Sequence, residues 1–147
     1  MRYLKDFTVG ESVAIGPYHV TEGEMIDFAK RYDPQVFHVD PESPESQALG
    51  GLIASGWHTA SIFMRMAVDA YMKDAAVIVS PGVDTLRWLH PVKAGDTLSG
   101  SVEIIEVRQS RSKPDRGIVA THAYVENQDK VAVLTMENKA FVRKSPL

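Results

Sequence analysis

The chain contains no cysteine. That absence excludes a disulfide scaffold, a thiol nucleophile and any Cys-ligated zinc or iron–sulfur centre, and is compatible with either redox compartment. Long apolar runs are also missing. The most apolar stretch, residues 59–72, is interrupted by Arg65 and Asp69 and falls short of the roughly 20 residues a membrane span needs, so it reads as a buried helix. Nor is there an excess of positive charge: 16 basic against 19 acidic side chains leave a formal charge of −3, without the basic stripe of a nucleic-acid binder. The first twelve residues scatter Lys5, Asp6 and Glu11 where a targeting segment would carry an apolar core. A cytoplasmic protein without membrane or nucleic-acid partners is the expectation. No internal repeat or low-complexity tract is present.

What is there is one domain's worth of chain, residues 1–147, with 44% hydrophobic residues. A chain of this length can bury roughly two thirds of its unfolded surface. Residues 12–20 have the content of a first strand. Thr21-Glu22-Gly23-Glu24 follows as a capping box, starting a helix with Met25, Phe28, Ala29 and Tyr32 at helical spacing. Pro34 stops it by disfavouring helical geometry at Asp33, and the prolines at 41 and 44 predict an irregular polar loop beyond. After Gly50-Gly51 and Gly56 the chain runs without Gly or Pro from Trp57 to about Lys73, apolar on nearly every face, which predicts a central helix wrapped by protein. Strands are then expected at 77–80, 83–90, 98–108, 118–127 and 131–143, with Pro81-Gly82 as a reversal and hairpin turns at residues 113–117 and 127–130. The parity change from Val102/Ile104 to Ile105/Val107 predicts a β-bulge. The class is α+β, an antiparallel sheet curled around one long helix.

The candidate chemistry lies in Tyr32-Asp33-Pro34-Gln35-Val36-Phe37-His38. By residue type alone Asp33 could be a turn former and His38 a satisfied core histidine. Gly56 stands where the long helix begins, so its N–H is an unpaired donor at a positive helix end, able to bind a carbonyl oxygen that becomes an enolate. Tight packing at a helix start would equally call for glycine there. Asp33, His38, Asp40 and His58 match no compact metal-ligand pattern, so no metal is expected. Met64, Met66 and Met72 read as core filling. His58 reads as a helix-start residue packing on a neighbour, and the basic residues Arg108, Arg111, Lys113 and Arg116 as a solvated hairpin end.

Asp33-Pro34-Gln35-Val36-Phe37-His38, followed by Ile53-Ala54-Ser55-Gly56 and a buried helix, resembles the MaoC-like, or hydratase 2, group of hot-dog-fold acyl-thioester dehydratases. That group's motif reads D-x-N-P-hydrophobic-H, from which this chain departs by Gln35 for Asn and Val36 for Pro. The resemblance implies a single hot-dog domain and a reversible, R-specific hydration of an enoyl thioester. In it Asp33 and His38 are the acid–base pair holding a water, and Gly56 supplies the oxyanion donor. Ser55, Gln35, Tyr32, Phe37, Ile53 and Trp57 belong to the implied substrate-binding set, the apolar members serving as acyl wall or as packing. It implies coenzyme A thioester as substrate with no separate cofactor, Arg111 and Lys113 as possible CoA-phosphate contacts, and a homodimer or larger homo-oligomer. A hot-dog thioesterase attacking the carbonyl carbon, or a non-catalytic acyl-thioester-binding module, is the competing expectation.

Overall fold

The computed structural model describes residues 1–146. Five strands form one antiparallel sheet in the order β1-β3-β4-β5-β2, with β1 at Ser12–His19, β2 at Val77–Trp88, β3 at Thr97–Gln109, β4 at Arg116–Glu126 and β5 at Ala132–Arg143. Four helices fall between β1 and β2: α1 Glu22–Tyr32, α2 Val36–Val39, α3 Pro44–Ala48 and α4 Gly56–Ala70. The sheet curls around α4, whose Ile62, Phe63, Met66 and Ala67 pack into a core with Leu98, Val102, Ala123, Val125 and Leu134. The expected α+β architecture is the one observed. No helix among the described residues is long and apolar enough to cross a membrane.

Local chemistry explains the elements that frame the site. The capping box is formed: Glu24 N–H donates to Thr21 Oγ1 at 3.3 Å and Thr21 N–H to Glu24 Oε1 at 3.0 Å. This satisfies two of the donors that a helix start leaves unpaired. The expected bulge is also present, since the β3–β4 ladder slips between Ile104 and Glu106. Ile105, the extra residue, is turned outward, and Val107 packs inward with the second apolar cluster around Leu4, Phe7 and Ile104.

Three expectations are corrected. Residues 77–88 form one strand, not two separated by a turn. Pro81 sits where the β2–β5 register shifts between Val79 and Gly82, a bulge on an edge strand where a missing N–H is tolerated. Ser80 Oγ bridges the gap by donating to Lys139 O at 2.7 Å. The polar segment after Asp33 is not irregular throughout, because it holds the one-turn helices α2 and α3, the latter started by Ser43 as N-cap and Pro44 at its first position. Finally, α4 ends at Ala70, with a 3-10 turn at Met72–Asp74, and it is not enclosed on every face. Trp57, Ser61, Met64, Arg65 and Asp69 form an exposed stripe, since a single sheet covers only one side of a helix.

Candidate active site

Asp33 closes α1. Its N–H donates to Ala29 O at 2.8 Å, and Pro34 prevents another helical turn. The chain then reverses into α2, whose single turn brings the His38 ring back towards the Asp33 carboxylate, with Nε2 3.4 Å from Oδ2. Two donors hold that carboxylate: Ser55 Oγ reaches Oδ2 at 2.7 Å and Gln35 Nε2 reaches Oδ1 at 2.8 Å. The Ser55 bond first, then the Gln35 bond, and to a lesser degree the positive charge His38 carries when protonated, hold Asp33 below the usual carboxylate value, against the opposing effect of burial. Asp33 is therefore ionised at neutral pH.

The imidazole of His38 is buried and its tautomer follows from its partner. Nδ1 lies 2.7 Å from the carbonyl oxygen of Ile53, which can only accept, so Nδ1 carries the hydrogen and neutral His38 presents a bare lone pair at Nε2. Two acceptors, Nε2 and Asp33 Oδ2, thus converge on one spot. That arrangement suits a water molecule donating one hydrogen to each. Ile53 is anchored in turn: its N–H donates to Phe37 O at 3.2 Å, and it bridges to Lys93.

Beside this pair α4 begins. Ser55, its N-cap, accepts from Trp57 N–H through Oγ at 3.3 Å and from His58 N–H and Thr59 N–H through its carbonyl. Gly56, the first residue of α4, has no acceptor for its N–H within the helix. A Cβ there would lie 2.5 Å from Trp88 Cε2, so the glycine is required by an indole lying directly on its backbone. His38, Gly56 and Thr59 on one side and Trp88, His90 and Val92 on the other bound a cleft of about 270 Å³.

Residues 6–127 match the family profile described as MaoC like domain. The chain belongs to the MaoC-like family. It is similar over its whole length to the MaoC-like dehydratase from Rhodospirillum rubrum, at 35% identity, 100% coverage of both chains and a TM-score of 0.90. The uncharacterized protein YdeM of Bacillus subtilis is 26% identical over 141 residues, covering 96% of this chain and 99% of the relative. The R-hydratase PhaJ1 from Pseudomonas aeruginosa shares the fold, with a TM-score of 0.75 at 20% identity, covering 99% of this chain and 88% of that one. The curled sheet around α4 is thus the hot-dog fold of the MaoC-like family.

Within this MaoC-like chain the residues singled out from the sequence separate into two groups. Asp33, Gln35, His38, Ile53, Ser55 and Gly56 come together, with Phe37 edge-on to the His38 ring at 4.6 Å. Tyr32 is exposed and packs on Phe28 instead of lining the cleft, and Trp57 is exposed with its ring against Trp88. Arg111 and Lys113 lie in the turn between β3 and β4. Trp88, Leu134, Val125 and Gly100 share one row across the sheet, and β3 runs nine residues from Gly100 to Gln109, about 30 Å at strand rise. The hairpin therefore does not line the cleft of its own chain. His58 is buried behind the site, stacked on Phe28 at 4.9 Å and 3.8 Å from Glu24. The wall at residues 88–92 was missed by sequence reasoning. Its one sequence signal is Trp88-Leu89 ahead of His90-Pro91 at a strand end, bulky side chains where a sheet edge stops. Among the described residues no group of three or more His, Asp or Glu is placed to hold a metal ion.

Proposed function

We propose that this protein hydrates trans-2-enoyl thioesters reversibly, adding water with R stereochemistry to an acyl group carried on coenzyme A. The observation that carries this reading is the convergence of Asp33 Oδ2 and His38 Nε2 across 3.4 Å, with Nδ1 committed to Ile53 O. In the hydration direction, a water held by both acceptors attacks the β-carbon and gives one proton to His38 Nε2. The resulting imidazolium lies against ionised Asp33 and returns that proton to the α-carbon, so one water is added in all. As the β-carbon bonds to oxygen, negative charge moves to the thioester oxygen, where the Gly56 N–H is the donor. A single oxyanion-hole donor is typically worth about 3 kcal/mol, and a positioned acid–base group about a hundred- to ten-thousand-fold. The thioester is the substrate itself, and the steps draw on no cofactor.

Crotonyl-CoA is the first substrate to assay. Loss of the conjugated enoyl absorbance without release of free thiol is the expected result. Thiol release in its place would make the protein a thioesterase, and neither change would make it a binding module; both outcomes overturn the reading.

A homodimer is part of the proposal. Val79, Val83, Trp88 and Leu89 on and beyond the edge strand β2, with Trp57 and Met64 on α4, are large exposed apolar side chains, and unpaired edges are seldom left bare. Light scattering should give twice the mass of one chain, and a monomer at micromolar concentration would contradict it.

A further inference from the structure

We propose that Lys93 is a positioning residue for this site: its ammonium pins the turn after α3, keeps the Ile53 carbonyl against His38 Nδ1, and so leaves Nε2 as the basic atom. The effect on turnover rests on the hydratase reading above. The effect on the imidazole rests on the geometry of the site alone.

Neutral His38 has two places for its one ring hydrogen. On Nδ1 it is donated to Ile53 O at 2.7 Å. On Nε2 it would be donated to Asp33 Oδ2, an ionised acceptor 3.4 Å away. In that second form no bare lone pair faces the water, and the base is lost. The closer carbonyl selects the first form, but a retreat of Ile53 O by about 1 Å would take it out of hydrogen-bond reach and favour the carboxylate side. The state of His38 therefore turns on where the Ile53 carbonyl is held.

Ile53 lies in a segment that needs outside support. Gly50 and Gly51, shortly before it, both have positive φ, 78° and 120°, and glycine leaves such a conformation as readily as it enters it. Beyond them the segment meets the 92–93 stretch through one isolated antiparallel bridge, Ile53 with Lys93, and through Ala54 N–H to Val92 O at 2.8 Å. A single bridge lacks the repeated rungs that fix a strand in a sheet.

Lys93 supplies the second anchor. Its Nζ donates to Gly50 O at 3.1 Å and to Leu49 O at 3.4 Å, carbonyls at the C-terminal end of α3, where a lysine is a favourable partner. It is seated so closely that a Cβ on Gly50 would lie 3.0 Å from the ammonium nitrogen. The lysine is itself fixed: its N–H donates to Asp96 Oδ2 at 2.9 Å, its carbonyl accepts from Asp96 N–H at 3.1 Å, and Asp96 Oδ1 accepts from Gln128 Nε2 at 2.9 Å. One residue thus grips the segment on both sides of the glycine pair, by its side chain at Gly50 and by its backbone at Ile53. Without the ammonium the two glycines become a hinge.

The test compares the wild type with Lys93→Met, which keeps the stem and removes the charge, and Lys93→Arg, which keeps the donors, each first checked for folding by circular dichroism. Correlation NMR of the ring nitrogens in ¹⁵N-histidine-labelled protein, in mildly alkaline buffer, reads the tautomer, the His38 signals being those that vanish in His38→Ala. The wild type and Lys93→Arg should carry the hydrogen on Nδ1, and Lys93→Met should move both ring-nitrogen shifts towards the Nε2–H form. With crotonyl-CoA, Lys93→Met should lower kcat at least about tenfold with KM within about twofold, and Lys93→Arg should restore most of it. Unchanged ring shifts in folded Lys93→Met overturn the proposal, as does a raised KM at unchanged kcat, which would put the ammonium on the substrate. If the wild type hydrates no enoyl-CoA, the hydratase reading alone fails and the ring shifts still decide the role of Lys93. Lys93→Gln takes the place of Lys93→Met if the latter does not fold, and unfolding of both overturns the proposal by making Lys93 a determinant of the fold.

Discussion

His38 donates Nδ1–H to the carbonyl oxygen of Ile53 across 2.7 Å, and this one bond decides what the other ring nitrogen can do. With Nδ1 committed as a donor, Nε2 is the basic atom, and it faces a carboxylate whose pKa Ser55 and Gln35 lower further. With His38 neutral, a base and an anion stand side by side, and a water donating one hydrogen to each joins them.

Replacing either member of the pair should abolish turnover without unfolding the chain. His38→Ala and Asp33→Asn are each expected to lower kcat for crotonyl-CoA by at least about a hundredfold, with the circular dichroism of the wild type retained. Ordinary turnover in both variants would remove them from the chemistry.

Ser55→Ala tests two roles at once. It removes the N-cap of α4, which should cost about 1 kcal/mol in denaturant unfolding, and it removes the leading cause of the lowered Asp33 pKa. Because the folded pKa is depressed, Asp33 stabilises the fold fully above its ordinary value of 3.8 and loses that contribution as pH falls through the lower folded value. In the variant the folded value lies nearer 3.8, so the contribution present above 3.8 is smaller and less is lost on acidification. Urea unfolding of the two proteins at a series of pH values gives the comparison: loss of the cap lowers stability alike at every pH, whereas loss of the Ser55–Asp33 bond makes the deficit larger above 3.8 than below it, and a deficit independent of pH would show that the bond does not perturb Asp33.

Gly56→Ala places a methyl group against Trp88. Alanine is ordinarily favoured over glycine in a helix, yet here the clash should lower stability by about 1–3 kcal/mol. The double variant Gly56→Ala/Trp88→Ala should recover part of that loss relative to the sum of the single changes. Simple additivity in thermal or urea unfolding would show that the two residues do not touch.

His58 offers a pH signature separate from catalysis. Burial pushes its pKa below the ordinary 6.5, partly offset by Glu24, and its Nδ1 has no hydrogen-bond partner. The folded state therefore resists protonation that the unfolded chain accepts, and stability falls as pH drops below 6.5, by at most about 1.4 kcal/mol per pH unit. His58→Leu should flatten that part of the curve. A slope between pH 6.5 and 5 equal to that of the wild type would place the proton uptake elsewhere.

Features carried by neighbouring residues could be read before any coordinates. The capping box of Thr21 and Glu24, the stop at Pro34, the bulge at Ile105 and the spacing of Asp33 and His38 all depend on side chains within a few positions of one another, whose geometry follows from backbone sterics and hydrogen-bonding capacity. The MaoC-like motif was legible for the same reason, since Asp33 and His38 are placed by one short turn. Local pattern misled where a distant strand took over. Pro81-Gly82 has the chemistry of a reversal, but Ser80 finds the carbonyl of Lys139 and β2 continues. Likewise α4 is apolar on most sides, although a single sheet covers only one of them.

By itself the sequence determined the chemistry available at this site: one carboxylate, one imidazole, a helix-start N–H and no thiol. Tertiary structure alone decided how those groups are set. The His38 tautomer depends on a carbonyl fifteen residues away, the lowered pKa of Asp33 on a hydroxyl twenty-two residues away, and the wall of the cleft on a tryptophan of the edge strand β2. Hydrogen bonds and van der Waals walls act over a few ångströms of space, whatever the length of chain between their partners.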